Sequence, residues 1–248
     1  MNKFILAFPV PVKRTDTFKI TEHVQVTADT TALMIPGCTV SFSVARTDYL
    51  ARLSDVFREH SVLSDEEAKA IDSHCSLIFL LGTLKNADDF LMVNSAILKM
   101  FDAGAIGVYM QQSGTAWVAD HFREEIGDGD MYPWINYLEK DDSFYTLGLE
   151  VFGLPDLCFS RKMFDEGEEY EFFLSHVATL MFMEGVPSKS GTVVDADAYG
   201  KFTLRAEITS PFAKDAPEYN KNGIMRLVGR QGGDTHSGLI LPTPSITM

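Results

Sequence analysis

Between Leu77 and Met110 the chain reads as strand, helix, strand, and no other stretch constrains the fold as much. Leu77 to Leu81 is unbroken apolar sequence, the pattern of a strand buried on both faces. Phe90, Val93, Ile97, Leu98 and Phe101 then recur at helical spacing, and Gly104 sits where a helix C-terminus favours a left-handed residue. Ala105 to Met110 is a second strand. A helix between two strands allows them to run parallel, so a β-α-β unit is expected here.

The flanking sequence supplies further strands. Phe4 to Phe8 is a short apolar run, and Phe18, Ile20, Val24 and Val26 alternate with one polar interruption at Glu22. Val40, Phe42 and Val44 repeat the alternation. Thr47 is read as the N-cap of a helix carrying Tyr49, Leu50, Leu53, Val56 and Phe57. Ser64 to Glu67 has the S-x-x-E form of a capping box before a second short helix. Downstream, Trp134–Leu138 and the alternating Tyr145, Leu147, Leu149 and Val151 read as strands. Asp165 to Glu168 is read as the acidic start of a helix buried through Tyr170, Phe173, Leu174, Val177 and Met181, with Phe172 and Phe182 off that stripe. Phe202 to Ile208 and Ile224 to Val228 give the last strands.

Together these predict an α+β fold: a mixed, largely antiparallel sheet containing a β-α-β unit, with helices mainly on one face. Residues 1–228 form one globular domain in this reading, with a candidate sub-boundary near 160–165 and a flexible tail over 229–248.

Composition narrows the partners. With 18 Phe and 8 Tyr, burial is ample. A net charge of −14 repels phosphate backbones and anionic membrane surfaces, and is compatible with a basic protein partner or a cationic ligand; equally, acidity keeps many proteins soluble. No apolar stretch approaches the roughly 18 residues that span a bilayer. The opening MNKFILAFPVPV is too short an apolar run for a secretory signal, so the cytoplasm is the expected location. Cys38, Cys75 and Cys158 are odd in number and widely spaced, which reads as free thiols rather than a disulfide framework.

Ala105 to Phe122, AIGVYMQQSGTAWVADHF, is where an apolar scaffold delivers an aromatic, an acid and an imidazole together. His121 is the candidate general acid or base, with Asp120 or Glu125 as its orienting partner; Glu125 lies one helical turn on. The plainer reading is a half-exposed histidine at a helix end. Zinc needs three or four ligands and no second histidine is near in sequence, so no metal site is expected. Asp128-Gly-Asp130 suggests a calcium loop, but Tyr132 and Pro133 stand where an oxygen ligand and a glycine are needed. GRQGGDTHSG, from Gly229, opens no helix and so is not a phosphate cradle. Ser113-Gly114 and Ser190-Gly191 lack the nucleophile elbow of hydrolases. Asp195 and Asp197 would face the same way on an extended segment, though a solvated turn explains them as well. No cofactor is indicated. Trp117 and Trp134, with Tyr109 and Tyr132 nearby, bracket the polar stretch around His121; Tyr109, Trp117, His121 and Trp134 form the candidate recognition surface.

Three stretches, CSLIFLLGTLKNADDFLMVNSAILKMFDAGAIGVYM, SGTAWVADHF and FYTLGLEVFGLPDLCF, carry a resemblance. Together they resemble the bacterial domain-of-unknown-function family 4261, with its long helix leading into a G-A-x-G-V-Y strand, its Ser-Gly turn, and its T-L-G-L/M-x-x-F-G-L-P-D/E segment. Here these are Gly104 to Tyr109, Ser113-Gly114, and Thr146 to Asp156. The match runs over roughly residues 75–159. It implies an intracellular bacterial α+β protein and no catalytic residue. The favoured expectation is a non-enzymatic protein-interaction module, such as an immunity-protein-like binder of a basic partner. A structural subunit of a complex ranks next, and an enzyme using His121 on a small polar substrate ranks third.

Overall fold

The computed structural model describes residues 3–126, 129–163 and 170–231. Strand β1 (Lys3–Val10) opens the chain, followed by a small hairpin of β2 (Phe18–Lys19) and β3 (Gln25–Val26). Then come β4 (Ala32–Leu33), β5 (Phe42–Asp48), α1 (Leu53–Arg58), α2 (Asp65–Asp72), β6 (Ser76–Thr83), α3 (Ala87–Asp102), β7 (Gly107–Met110) and β8 (Thr115–Val118). The six strands order as β4-β5-β6-β1-β7-β8. Helix α4 (Ala119–Glu125) leads to the second half: β9 (Asn136–Lys140), β10 (Ser143–Leu147), β11 (Asp156–Ser160), α5 (Tyr170–Met183), β12 (Val193–Asp195), β13 (Lys201–Ala206) and β14 (Ile224–Gln231). These strands form a second six-stranded sheet, β12-β13-β14-β11-β10-β9, with only β11 and β14 running parallel.

The α+β class and the largely antiparallel pairing are as expected from the sequence, with three differences. The strands divide between two main sheets. The β-α-β unit is split: β6 and β7 run the same way, but β1 lies between them, antiparallel to both. A chain-opening apolar strand with eight residues to pair takes the central slot that the crossover leaves open. The helices also cover both faces of the first sheet. Because side chains alternate along a strand, Ile78 and Leu80 point to one face and Leu77 to the other. The first face joins Phe90, Val93, Ile97 and Met100 of α3 in the main core; the second carries Leu53 and Phe57 of α1 and Ile71 of α2.

Local chemistry explains most boundaries. Helix α3 starts at Asn86, whose side chain accepts from Asp89 N–H at 2.9 Å. It ends in a Schellman arrangement, with Gly104 at φ 99°, Ala105 N–H on Met100 O and Gly104 N–H on Phe101 O. The capping box at Ser64 and Glu67 forms in both directions. The run expected as one strand over 18–26 is instead a hairpin, because the Thr21 hydroxyl accepts from the N–H of Val24 and closes a turn. Thr47 pairs with Leu77 in the β5–β6 ladder rather than capping a helix, and α1 begins later, leaving Tyr49 and Leu50 exposed. Arg46 of β5 donates to the carbonyls of Lys13 and Asp16 and to Ser76 Oγ, which pins the hairpin segment to the sheet. Strand β14 runs to Gln231, into the segment read as a tail; the rest of that tail, and the acidic start read for α5, lie outside the described residues. Near the candidate sub-boundary, Phe159 of β11 packs against Phe173 of α5 at 5.4 Å. No helix among the described residues is long and apolar enough to cross a membrane.

Trp134 joins the two sheets. It ends a short 3-10 turn, Tyr132–Trp134, rather than starting a strand, because Pro133 fits the first turn of a helix and not a central strand. Its ring meets Phe4 of β1, Phe90 of α3 and Phe152 edge-on at 6.0, 5.8 and 6.0 Å, and its indole N–H donates to Asn94 Oδ1 at 2.8 Å. Trp134→Ala is expected to cost about 3–5 kcal/mol. Urea denaturation followed by far-ultraviolet circular dichroism checks it, the midpoint falling with little change in slope.

Candidate functional site

The turn after α4 is built by one carboxylate. Asp130 Oδ1 accepts the Tyr132 N–H at 2.8 Å and the Ser175 hydroxyl of α5 at 2.8 Å. The next carbonyl in the turn, that of Pro133, accepts the Trp117 indole N–H at 2.8 Å and the Thr115 hydroxyl at 3.1 Å. Tyr132 is thus fixed between α5 and the edge strand β8. Around it an aromatic column forms. Phe172 stacks on Tyr132 at 5.0 Å and 14°, Tyr132 stacks on Tyr137 of β9 at 5.6 Å and 26°, and Trp117 tilts against Tyr132 at 6.1 Å. Phe172, 39% exposed, is the solvent-facing end.

Acids surround the column. The Tyr132 hydroxyl donates to Glu171 Oε2 at 3.4 Å, and its pKa is pushed up by burial first, then by the charges of Glu171 and Glu125. Surrounding protein, and then Asp130 and Glu124, lift the Glu125 carboxyl above its usual range even though the residue keeps access to solvent. Glu125, Asp130 and Glu171 form no ion pair with any described residue. Deepest in the group, the buried Tyr137 hydroxyl has the Ser175 hydroxyl as its polar neighbour, and Ser175 in turn donates to Asp130. Burial pushes the Tyr137 pKa well up.

The residues predicted as a recognition surface do not assemble. Trp134 is in the core at 2% exposure. Tyr109 and Trp117 lie on opposite faces of the first sheet, since Tyr109 faces Ala116 across the ladder and Trp117 faces Val108. Tyr109 instead borders an apolar groove of about 210 Å³ with Leu50, Val56, Phe57 and Phe79. His121 finds its partner in α2: its Nε2 is 3.1 Å from Glu67 Oε1, the capping-box acid. Asp120 is exposed in the first turn of α4, and Glu125 turns toward Asp130. His121 lines neither this groove nor a second, more polar cavity of about 440 Å³ between Glu207 and Ile224. Asp195 pairs with Lys201 at 2.8 Å and Asp197 lies 3.2 Å from His176, so the two acids do not share a cation. Among the described residues no group of three or more His, Cys, Asp or Glu side chains is placed to hold a metal ion. Of the predicted set only Trp117 belongs to the column. Tyr137, Glu171 and Phe172 were not predicted to join it; the signal for them was the off-stripe position of Phe172.

The motif residues behind the family resemblance perform a different task. A Cβ on Gly107 would fall 2.6 Å from the Trp117 carbonyl, and one on Gly148 would fall 2.6 Å from Ser113 Cβ. Gly148 also sits at φ 104°, where the chain leaves β10 for the 3-10 turn Leu149–Phe152. Asp156, fully buried, accepts from Leu149 N–H at 3.2 Å and from the Thr146 hydroxyl at 3.3 Å, closing that turn. Burial raises its pKa from 3.8 to about 7, against the lowering effect of these hydrogen bonds.

No family model matches the chain, and neither a curated protein nor a solved structure does.

Gly148→Ala combines a left-handed φ with a backbone-side clash and is expected to cost at least about 2 kcal/mol, read by chemical denaturation. Asp156 gives a pH signature. Its folded pKa lies above its unfolded value, so its share of stability is full below about pH 4 and is lost as pH rises through about 7. Relative to wild type, Asp156→Asn should therefore gain stability between pH 4 and pH 8, by up to about 4 kcal/mol. Paired urea titrations across that range measure the gain; a constant difference would show that Asp156 titrates normally.

Proposed function

We propose that this protein is a non-enzymatic interaction module whose partner is a basic protein, of the kind an immunity protein neutralises. One observation carries the reading: three carboxylates, Glu125, Asp130 and Glu171, gather around a stacked aromatic column and form no ion pair with any described residue. Such a group is costly in isolation, because like charges repel, and it becomes favourable when a cation arrives. Aromatic faces add cation–π attraction and apolar contact for the stem of a lysine or arginine. The net charge of −14 extends the same preference over longer range, speeding encounter with a positive partner. The three free thiols and the family resemblance are consistent with a bacterial cytoplasmic protein, and the charge disfavours nucleic acid. The enzymatic reading has less support, because His121 is held by Glu67 away from both cavities.

Affinity capture from the native cell at low salt tests the proposal. A basic protein should be retained in stoichiometric amount and released as salt rises. Phe172→Ala should weaken the complex about tenfold or more while leaving the thermal midpoint close to that of wild type. Retention that is indifferent to salt and to Phe172 would contradict the reading.

A further inference from the structure

Away from the column, a buried acid and a surface segment share the same anchor. Residues 207–223 cross from β13 to β14 as a strap over the face of the second sheet that carries Tyr145, Cys158 and Ile224. One end is held by Lys140, which donates to the Pro211 carbonyl at 3.0 Å, and by Phe212, edge-on against Tyr145 at 5.6 Å. The other end grips residues 154–156. The Leu154 carbonyl accepts from the side-chain amides of Asn220 and Asn222 at 3.0 and 3.2 Å, and the Asp156 N–H donates to the Gly223 carbonyl at 3.0 Å. Between these anchors residues 213–219 make their backbone turns on themselves, and the strap lines the cavity of about 440 Å³. Asn220, itself buried, lines that cavity and is also a polar neighbour of the Asp156 carboxyl.

No described residue forms an ion pair with Asp156. Glu150 of the 3-10 turn adds repulsion, and Lys221 of the strap is committed to Glu150. Along β11, the Cys158 thiol is kept neutral by burial; on β14, Arg226 is committed to Glu207; β10 offers only the Thr146 hydroxyl. A carboxylate charge in that place is costly, and water relieves it. Freeing Asn220 from Leu154 gives water a route from the cavity to the carboxyl. Under the closed strap burial sets the Asp156 pKa at about 7, against about 4 for a hydrated carboxyl. The closed form is therefore favoured in full below about pH 4, loses up to about tenfold per pH unit from there to about pH 7, and is level above that. We propose that residues 207–223 are a pH-responsive strap: protonated Asp156 keeps the 220–223 turn clamped on Leu154, and ionisation of Asp156 releases the turn and opens the cavity to water.

Hydrogen exchange of the full chain, read by mass spectrometry and corrected for the intrinsic pH dependence of amide exchange, tests the strap. Protection of peptides spanning 207–224 should fall about tenfold or more between pH 5 and pH 7 and level off above about pH 8. Adding about 1 M urea should barely change that protection, because lifting a strap exposes little surface; exchange in β1 and β6, which requires global unfolding, should quicken. Asp156→Asn should keep the strap protected and flatten its pH slope. Asn220→Ala should leave the strap exchanging freely even at pH 5. Protection that is flat with pH in the wild-type protein would overturn the proposal. So would a slope that persists in Asp156→Asn, or strap exchange as sensitive to urea as that of β1. If either variant fails to fold, the wild-type pH slope and its urea dependence still decide.

Discussion

The joining of the two sheets depends on edge-to-face aromatic packing around Trp134. Phe4 brings in the first sheet, Phe90 brings in α3, and Phe152 brings in the turn between β10 and β11. Phe182 of α5 closes the group against Phe90 and Phe152 at 6.0 and 4.9 Å. Ring edges carry partial positive charge and ring faces partial negative charge, so such contacts add specific orientation to the area they bury. The indole N–H is answered by Asn94 rather than left bare, which is the condition for burying a tryptophan at all. Since Trp134 follows Pro133 directly, the same 3-10 turn that delivers it to the core sets the Pro133 carbonyl against Trp117 and places Tyr132 at the surface. Core and candidate site are two ends of one turn.

That coupling separates the residues that build the scaffold from those around Tyr132. Gly104, Gly107, Gly148 and Asp156 answer backbone demands: a left-handed helix end, two close approaches and a buried turn. Only Gly107 touches the column, through the Trp117 backbone carbonyl. These residues build the scaffold, and the acids and rings around Tyr132 are hung on it. A binding surface can change its chemistry without touching those glycines.

Legibility in the sequence followed the range of the interaction. Capping at Ser64 and Glu67, the α3 stripe and the Gly104 stop are local, and each was readable from a few neighbouring residues. The placement of β1 between β6 and β7 was not, because pairing between residues such as Phe8 and Ile78 leaves no mark on either segment alone. The same limit governed the site. Trp117 and His121 are neighbours in sequence, yet strand alternation and the turn into α4 send one to Tyr132 and the other to Glu67. The column that does form joins residues from β8, the 3-10 turn, β9 and α5. Phe172 was the only legible trace of it, an aromatic off the buried stripe of its helix.

The acids at the column are best understood through what the rest of the surface does with charge. Some carboxylates elsewhere are matched, Asp102 by Arg123, Glu139 by Arg161, Glu150 by Lys221 and Glu207 by Arg226, while others such as Glu22, Asp88 and Glu184 form no ion pair with a described residue. Exposed pairs of this sort contribute little stability, about 0–1 kcal/mol each, but they do quench the local field. At the column the field is left unquenched beside low-dielectric aromatic walls, where it reaches furthest. Under the proposed reading, a cation supplied by the partner would convert that local electrostatic cost into affinity, and the affinity would fall with salt.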